Sequence, residues 1–185
     1  KEHGGDYSSI VPLIPTGKGT SASHLSWTDD KFVEGEASII EISGVYKKYH
    51  CPMARTVLLG KSDQKKIDTM KRTREALQAG IDVTKPGNTA DDVAQAFWKV
   101  LDKYGIEKKS RTGYSIGIGY PPDWGEHTLN IQKGDKTVLQ KNVCFHMIAV
   151  MQFGEWGVES SESIRVSENG AENFYKFPGD LHIKG

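Results

Sequence analysis

The sequence predicts an α+β domain in which helices pack on an antiparallel sheet. Three observations carry this. Strand-like segments gather at both ends of the chain. Two stretches between them place apolar residues at helical spacing. At 185 residues the chain can bury one sizeable core, or at most two small ones. The order strands, two helices, strands is that of helices segregated on a sheet.

The elements follow in order. Residues 4–30 are rich in Gly, Ser, Thr and Pro, and the apolar stretch 10–14 predicts one strand between loops. Residues 37–42 predict a strand ended by Gly44, and 45–49 with 53–59 predict a hairpin or meander closed by Gly60. Ser62 is placed to cap a helix over 63–79, where Ile67, Met70 and Leu77 share a face and Gly80 stands at the C-cap position. Lys85-Pro86-Gly87 makes a turn. Thr89 and Asp92 then resemble a capping box, with an apolar face from Val93 to Tyr104 and a stop at Gly105. Strand patterning returns at 114–120, 143–152, 163–167 and 181–184. No strict repeat is present, although 32–41 and 138–147 share a layout of a turn and then a strand carrying Glu41 or His146 near its end.

Acidic and basic residues number 24 each, so nothing predicts a nucleic-acid footprint. Lys47-Lys48, Lys65-Lys66 and Lys108-Lys109 read as solvated surface. Cys51 and Cys144 lack a CxxC or framework spacing, which predicts reduced thiols and a cytoplasmic setting. No apolar run is long enough for a membrane span and no signal peptide is visible. The chain opens without Met on Lys-Glu-His-Gly-Gly and reads as the middle of something longer.

Several residues could carry chemistry. Glu41 lies within an apolar strand, where a carboxylate is costly unless paired or functional; the alternative is a solvent-facing position. His24 sits in a loop, as a surface residue or as an acid/base at neutral pH. His146, inside an apolar strand, needs a partner, structural or functional. Glu159 and Glu162 suit acid/base work or cation recognition, and equally a surface. The dense segment from Tyr120 through Pro121, Pro122, Asp123 and Trp124 to Glu126, with Tyr114 before it, reads as a pocket wall or a rigid turn. HExxH and Cys/His clusters are absent, and spacing alone gives no metal site.

Gly4-Gly5-Asp6-Tyr7, Thr16-Gly17, His24, Gly35, Glu41, Tyr49 and Arg55-Thr56 resemble the catalytic domain of the creatinase/methionine-aminopeptidase (M24) superfamily. Lys85-Pro86-Gly87-Asn88-Thr89 resembles its helix entry. Arg111-Thr112-Gly113-Tyr114 and Tyr120-Pro121-Pro122-Asp123-Trp124-Gly125-Glu126, with Phe145-His146, Trp156-Gly157 and Glu162-Ser163-Ile164, are similar to the ectoine hydrolases of that superfamily. The resemblance covers essentially the whole chain. It implies the pita-bread fold, a C-terminal catalytic domain spanning 1–185, and truncation at the N-terminal edge, where a separate domain and a first helix are expected. It implies a homodimer at full length and hydrolysis of ectoine, a cyclic amidine, to N-acetyl-diaminobutyrate, with no nucleic-acid or membrane partner.

Departures sharpen the expectation. Where the metallopeptidases have ligands, this chain has Glu41, Pro52, Tyr114, Met147 and Ser161 or Glu162, so a dinuclear metal centre is not expected. Ala54 replaces a glutamate that creatinase uses, and Leu139-Gln140-Lys141-Asn142 replaces a Glu-Pro-Gly turn. The implied catalytic residues are Glu41, His24 and Glu162, with Tyr114, Tyr120, Trp124, His146 and Glu159 binding substrate and no metal or other cofactor. Glu41 would attack the amidine carbon or activate water, His24 would shuttle a proton, and Glu159 or Glu162 would hold the amidinium. Tyr120 and Trp124 would shape the pocket, Trp124 with a cation–π face. Alternatives are an Xaa-Pro dipeptidase, a creatinase-like hydrolase, and an inactive peptide-binding module.

Overall fold

A computed structural model describes residues 2–22 and 24–185. Its strands are β1 (Ala37–Tyr46), β2 (Tyr49–Leu59), β3 (Gly113–Tyr120), β4 (Asp123–Ile131), β5 (Cys144–Gln152), β6 (Gly157–Ser167), β7 (Gly170–Asn173) and β8 (His182–Lys184). Two helices, α1 (Gln64–Asp82) and α2 (Ala90–Lys103), stand between β2 and β3. The sheet runs β1-β2-β3-β5-β6-β7, with β4 antiparallel to β3 and the short β8 parallel to β2. Helices on one side of a mainly antiparallel sheet make this the α+β arrangement predicted.

The sheet curls until β2 faces β6 across its concave side. The Ala54 amide donates to Ser161 Oγ at 2.7 Å, Thr56 Oγ1 donates to the Glu159 carbonyl at 2.8 Å, and Ser163 Oγ donates to the Pro52 carbonyl at 2.6 Å. On the other side, Phe145, Met147, Ala149 and Met151 of β5 and Val158, Ile164 and Val166 of β6 meet Met70, Leu77, Val93, Phe97 and Leu101 of the helices in one buried cluster. Strand alternation thus gives β5 and β6 one apolar face toward the helices and one polar face toward the concavity.

Local structure departs from expectation where packing overrides pattern. The stretch 10–14 forms no strand. Leu13 instead makes isolated bridges to Ser26 and Glu41, exchanging both backbone bonds with Glu41 at 2.9 Å. The β1–β2 turn falls on Lys47 and Lys48, which take positive φ of 48° and 67°. Asp63, not Ser62, caps α1, its carboxylate accepting from the Lys65 amide at 2.8 Å. The helix runs through Gly80, which is no C-cap: a Cβ there would lie 2.1 Å from the Met147 methyl, so the position is glycine for close packing. The capping box of α2, Thr89 with Asp92, is present as read. β4 and β7 were not anticipated, and β6 begins six residues before the predicted 163–167.

Candidate active site

On the concave side a cavity of about 140 Å³ is lined by Leu13, Pro15, Ala22, His24, Ile39, Glu41, Ser110, Arg111, Tyr114, Ile148, Val150 and Glu159. Glu41 enters it from the inner face of β1, where Ile39 and Glu41 alternate with the exposed Ile40 and Ile42. It is therefore not a solvent-facing carboxylate: Glu41 is 6% exposed, and loss of hydration raises its carboxyl to about 7. Glu159 enters from β6 and is also 6% exposed. Burial raises its carboxyl well above the ordinary range, the Glu41 charge raises it further, and Lys108 partly offsets both. Among the described residues, the buried Glu159 Oε1 atom finds no hydrogen-bond partner. Two carboxylates thus share one dehydrated space and resist ionising together, the condition in which one serves as acid and the other as base.

His24 stands at the rim, exposed, with a positive φ of 62°. Tyr114 lines the wall. Its hydroxyl accepts from Trp124 Nε1 at 2.8 Å and shares a hydrogen bond with His146 Nδ1 at 2.9 Å. Burial pushes the Tyr114 phenol up, and burial followed by the nearby Arg55 charge pushes His146 down to about 3, so His146 is a neutral imidazole behind the tyrosine. His146 Nε2 has no partner among the described residues. Trp124 is 1% exposed and spends its indole N–H on Tyr114, so it offers the cavity no open face. It and His146 support the wall from behind.

Two of the residues singled out from sequence lie elsewhere. Tyr120, at the end of β3, is 60% exposed and does not line the cavity. Glu162 points to the helix side of β6, where Oε1 accepts from Arg55 at 3.1 Å and from Arg74 of α1 at 2.9 Å. Arg55 also donates to the carbonyls of Ala54, Ser161, Phe177 and Pro178, so Glu162 anchors a buried knot. Of the two acidic residues on β6, Glu159 faces the cavity. Sequence reasoning missed Lys108, Ser110 and Arg111. Lys108, read as surface, is 9% exposed, its Nζ donates to Ser110 Oγ at 2.6 Å, and burial lowers it to about 8. Only the resemblance at Arg111-Thr112-Gly113-Tyr114 pointed to this corner.

A second, larger cavity of about 1050 Å³ lies between the β1–β2 hairpin, at Tyr46, Tyr49 and Cys51, and β3 and β4, at Ser115, Gly117, Glu126 and Thr128. Of the segment read from sequence as a pocket wall, Glu126 lines it; the residues implied to be catalytic or substrate-binding do not.

Comparison with known proteins places this geometry. Residues 1–168 match the model of metallopeptidase family M24. The chain is 44% identical over its full length to an ectoine hydrolase from Halomonas elongata, of which it covers 46%, and 22% identical over 98% of its length to an Xaa-Pro dipeptidase from Pyrococcus furiosus, of which it covers 51%. Among solved structures it is similar to dipeptidase PepE from Mycobacterium ulcerans (TM-score 0.86, 24% identity, 97% of this chain and 48% of that one) and to the prolidase from Pyrococcus furiosus (TM-score 0.87, 20% identity, 96% and 52%). These likenesses establish the pita-bread fold. The chain spans about half the length of the curated relatives it matches.

The family's description implies a metal. The donor set here does not fit a dinuclear centre. Of the expected ligand positions, Pro52 offers only a carbonyl, already taken by Ser163 Oγ. Met147 is buried against Gly80, and Ser161 Oγ accepts from the Ala54 amide. Among the described residues no group of three or more His, Cys, Asp or Glu side chains converges to hold an ion.

Proposed function

Because the chain belongs to metallopeptidase family M24, yet keeps two buried carboxylates where that family's ligands thin out, we propose that the full-length protein is a metal-independent hydrolase. It opens the ring of ectoine, or a closely related cyclic amidine, to N-acetyl-diaminobutyrate. The observation that carries this is the cavity shared by Glu41 and Glu159. A dehydrated pair of carboxylates is stabilised by a compact cation bearing N–H donors, and a protonated amidine is such a cation. The 44% identity to a protein named ectoine hydrolase supports the choice of ring.

The chemistry divides among the residues present. Glu159 accepts hydrogen bonds from the amidinium nitrogens, filling the vacant acceptor at Oε1. That cation returns Glu41 to its ionised form. Glu41 takes a proton from water as the water oxygen bonds to the amidine carbon. His24, at the rim, passes a proton to the departing ring nitrogen. The carbon–nitrogen bond breaks, and the hydroxyl proton passes to His24, which has given up its own, as the amide carbonyl forms. In the variant route Glu41 itself bonds to the carbon and water then attacks the Glu41 carboxyl carbon, so that the original carboxylate oxygen leaves with the product; recovery of water-derived ¹⁸O in the Glu41 carboxylate after a single turnover distinguishes the two. Tyr114, held by Trp124 and His146, keeps the ring against the carboxylates. The same reading makes the enzyme a cytoplasmic homodimer.

Ectoine turnover by the full-length enzyme and by its Glu41→Gln and His24→Ala variants tests the proposal. Losses of about 10²–10⁴-fold are expected for residues that move protons. Near-wild-type rates in both variants sink it. Cleavage of Xaa-Pro dipeptides that depends on added Mn²⁺ or Co²⁺, with no action on ectoine, would favour the dipeptidase reading suggested by the relative from Pyrococcus furiosus.

A further inference from the structure

The cavity holds a cation that the reaction above does not use. Arg111 lines it together with Glu41 and Glu159. Its guanidinium lies 4.6 Å from the centre of the Tyr114 ring, and NH1 donates to Asn130 Oδ1. Asn130 is the β4 residue paired with Tyr114, so ring and amide come from one ladder step and hold the guanidinium from two sides. Among the described residues this is its one hydrogen bond, and it makes no ion pair with a carboxylate. Nε and NH2 remain available. The cation that offsets Glu159 is Lys108. The cavity is therefore bipolar, with a carboxylate pair in one part and a positioned, half-buried guanidinium in another.

Resting on the ring-opening reading, we propose that Arg111 is the specificity residue that receives a carboxylate on the substrate ring, so that the site selects zwitterionic amidines over plain ones. A guanidinium anchored through NH1 still presents the Nε–NH2 edge, which matches the two oxygens of a carboxylate. The volume, about 140 Å³, is on the order of five waters at about 30 Å³ each, enough for one small ring with a short substituent.

The test uses the full-length enzyme with two substrates: ectoine, and the same methylated tetrahydropyrimidine ring without its carboxylate. Turnover and calorimetric binding are measured for wild type, Arg111→Gln and Arg111→Lys. Wild type is expected to prefer ectoine by roughly 30-fold or more in kcat/KM, the scale of a charge-assisted bidentate contact. Arg111→Gln should bring that ratio toward one, chiefly by raising KM for ectoine, and Arg111→Lys should fall between. Because the ratio is taken within each protein, a partly unfolded variant does not mimic the effect. An unchanged preference in Arg111→Gln overturns the assignment. If wild type hydrolyses neither compound, the ring-opening reading fails, and binding alone decides Arg111: a wild-type preference for ectoine that Arg111→Gln loses upholds it, whereas equal preferences, or no binding of ectoine by wild type, overturn it.

Discussion

Replacing Glu41 by Gln should cut turnover by about 10²–10⁴-fold and yet make the folded protein more stable, by an amount that grows from about pH 4.5 and is complete above about 7. The carboxyl sits at about 7 in the fold against 4.5 unperturbed, and its residue is 6% exposed. Below pH 4.5 it is protonated in both folded and unfolded chains and contributes no penalty. Between 4.5 and about 7 the unfolded chain ionises while the folded chain keeps its proton, so stability falls as pH rises. Above about 7 the penalty is complete, about 3 kcal/mol. Gln has the same shape and no charge, so it carries no such slope. It also removes the charge that disfavours ionised Glu159, which adds to the gain. Urea unfolding of the full-length protein at pH 5 and pH 8.5 checks this. The variant should gain stability over wild type at pH 8.5 and much less at pH 5. An equal difference at both pH values, or a variant less stable than wild type at pH 8.5, would refute the claim that Glu41 is held in a dehydrated cavity.

Two further outcomes follow from residues outside the cavity. Glu162→Gln leaves the buried Arg55 without its carboxylate and should destabilise the protein by about 3–5 kcal/mol in urea unfolding; the KM of the fraction that stays folded at low temperature should remain near wild type, because Glu162 does not line the cavity. Gly80→Ala should lower the midpoint of thermal unfolding despite its better helix propensity, since the new methyl collides with Met147 and overpacking costs about 1–3 kcal/mol against about 1 kcal/mol gained in the helix; introduced into a Met147→Ala background, where that collision is gone, the same substitution should cost less or raise the midpoint.

The parts of this fold that announce themselves in sequence are those whose local pattern and tertiary role agree. α2 has its capping box and a single apolar face, and β1 has an apolar run interrupted by one carboxylate, which proved to be the residue in the cavity. β6 was hidden for the opposite reason. Val158-Glu159-Ser160-Ser161-Glu162-Ser163 has the composition of a loop, yet every one of these residues is buried. Many of its polar groups find partners distant in sequence: Thr56 and Ala54 on β2, Arg55, and Arg74 on α1. Gly80 was read as a helix stop because close packing against Met147 and termination both call for glycine, and only the position of β5 separates them. Lys108 looked like half of a surface pair because burial of a lysine depends on what closes over it.

β6 also decides between its two carboxylates by parity. Glu159 and Glu162 are three positions apart, an odd number, and side chains along a strand alternate sides. One must therefore face the cavity whenever the other faces the helices. Deleting a single residue between them would separate them by two and send both to the same side, either taking Glu159 out of the cavity or leaving Arg55 and Arg74 without a counter-ion and the cavity with a third acid. Exchanging the serines at 160 and 161 for other small residues preserves the count, whereas a one-codon deletion there does not. The spacing between these two glutamates thus carries information that neither glutamate carries alone, and the reading frame of one strand divides anchoring from chemistry.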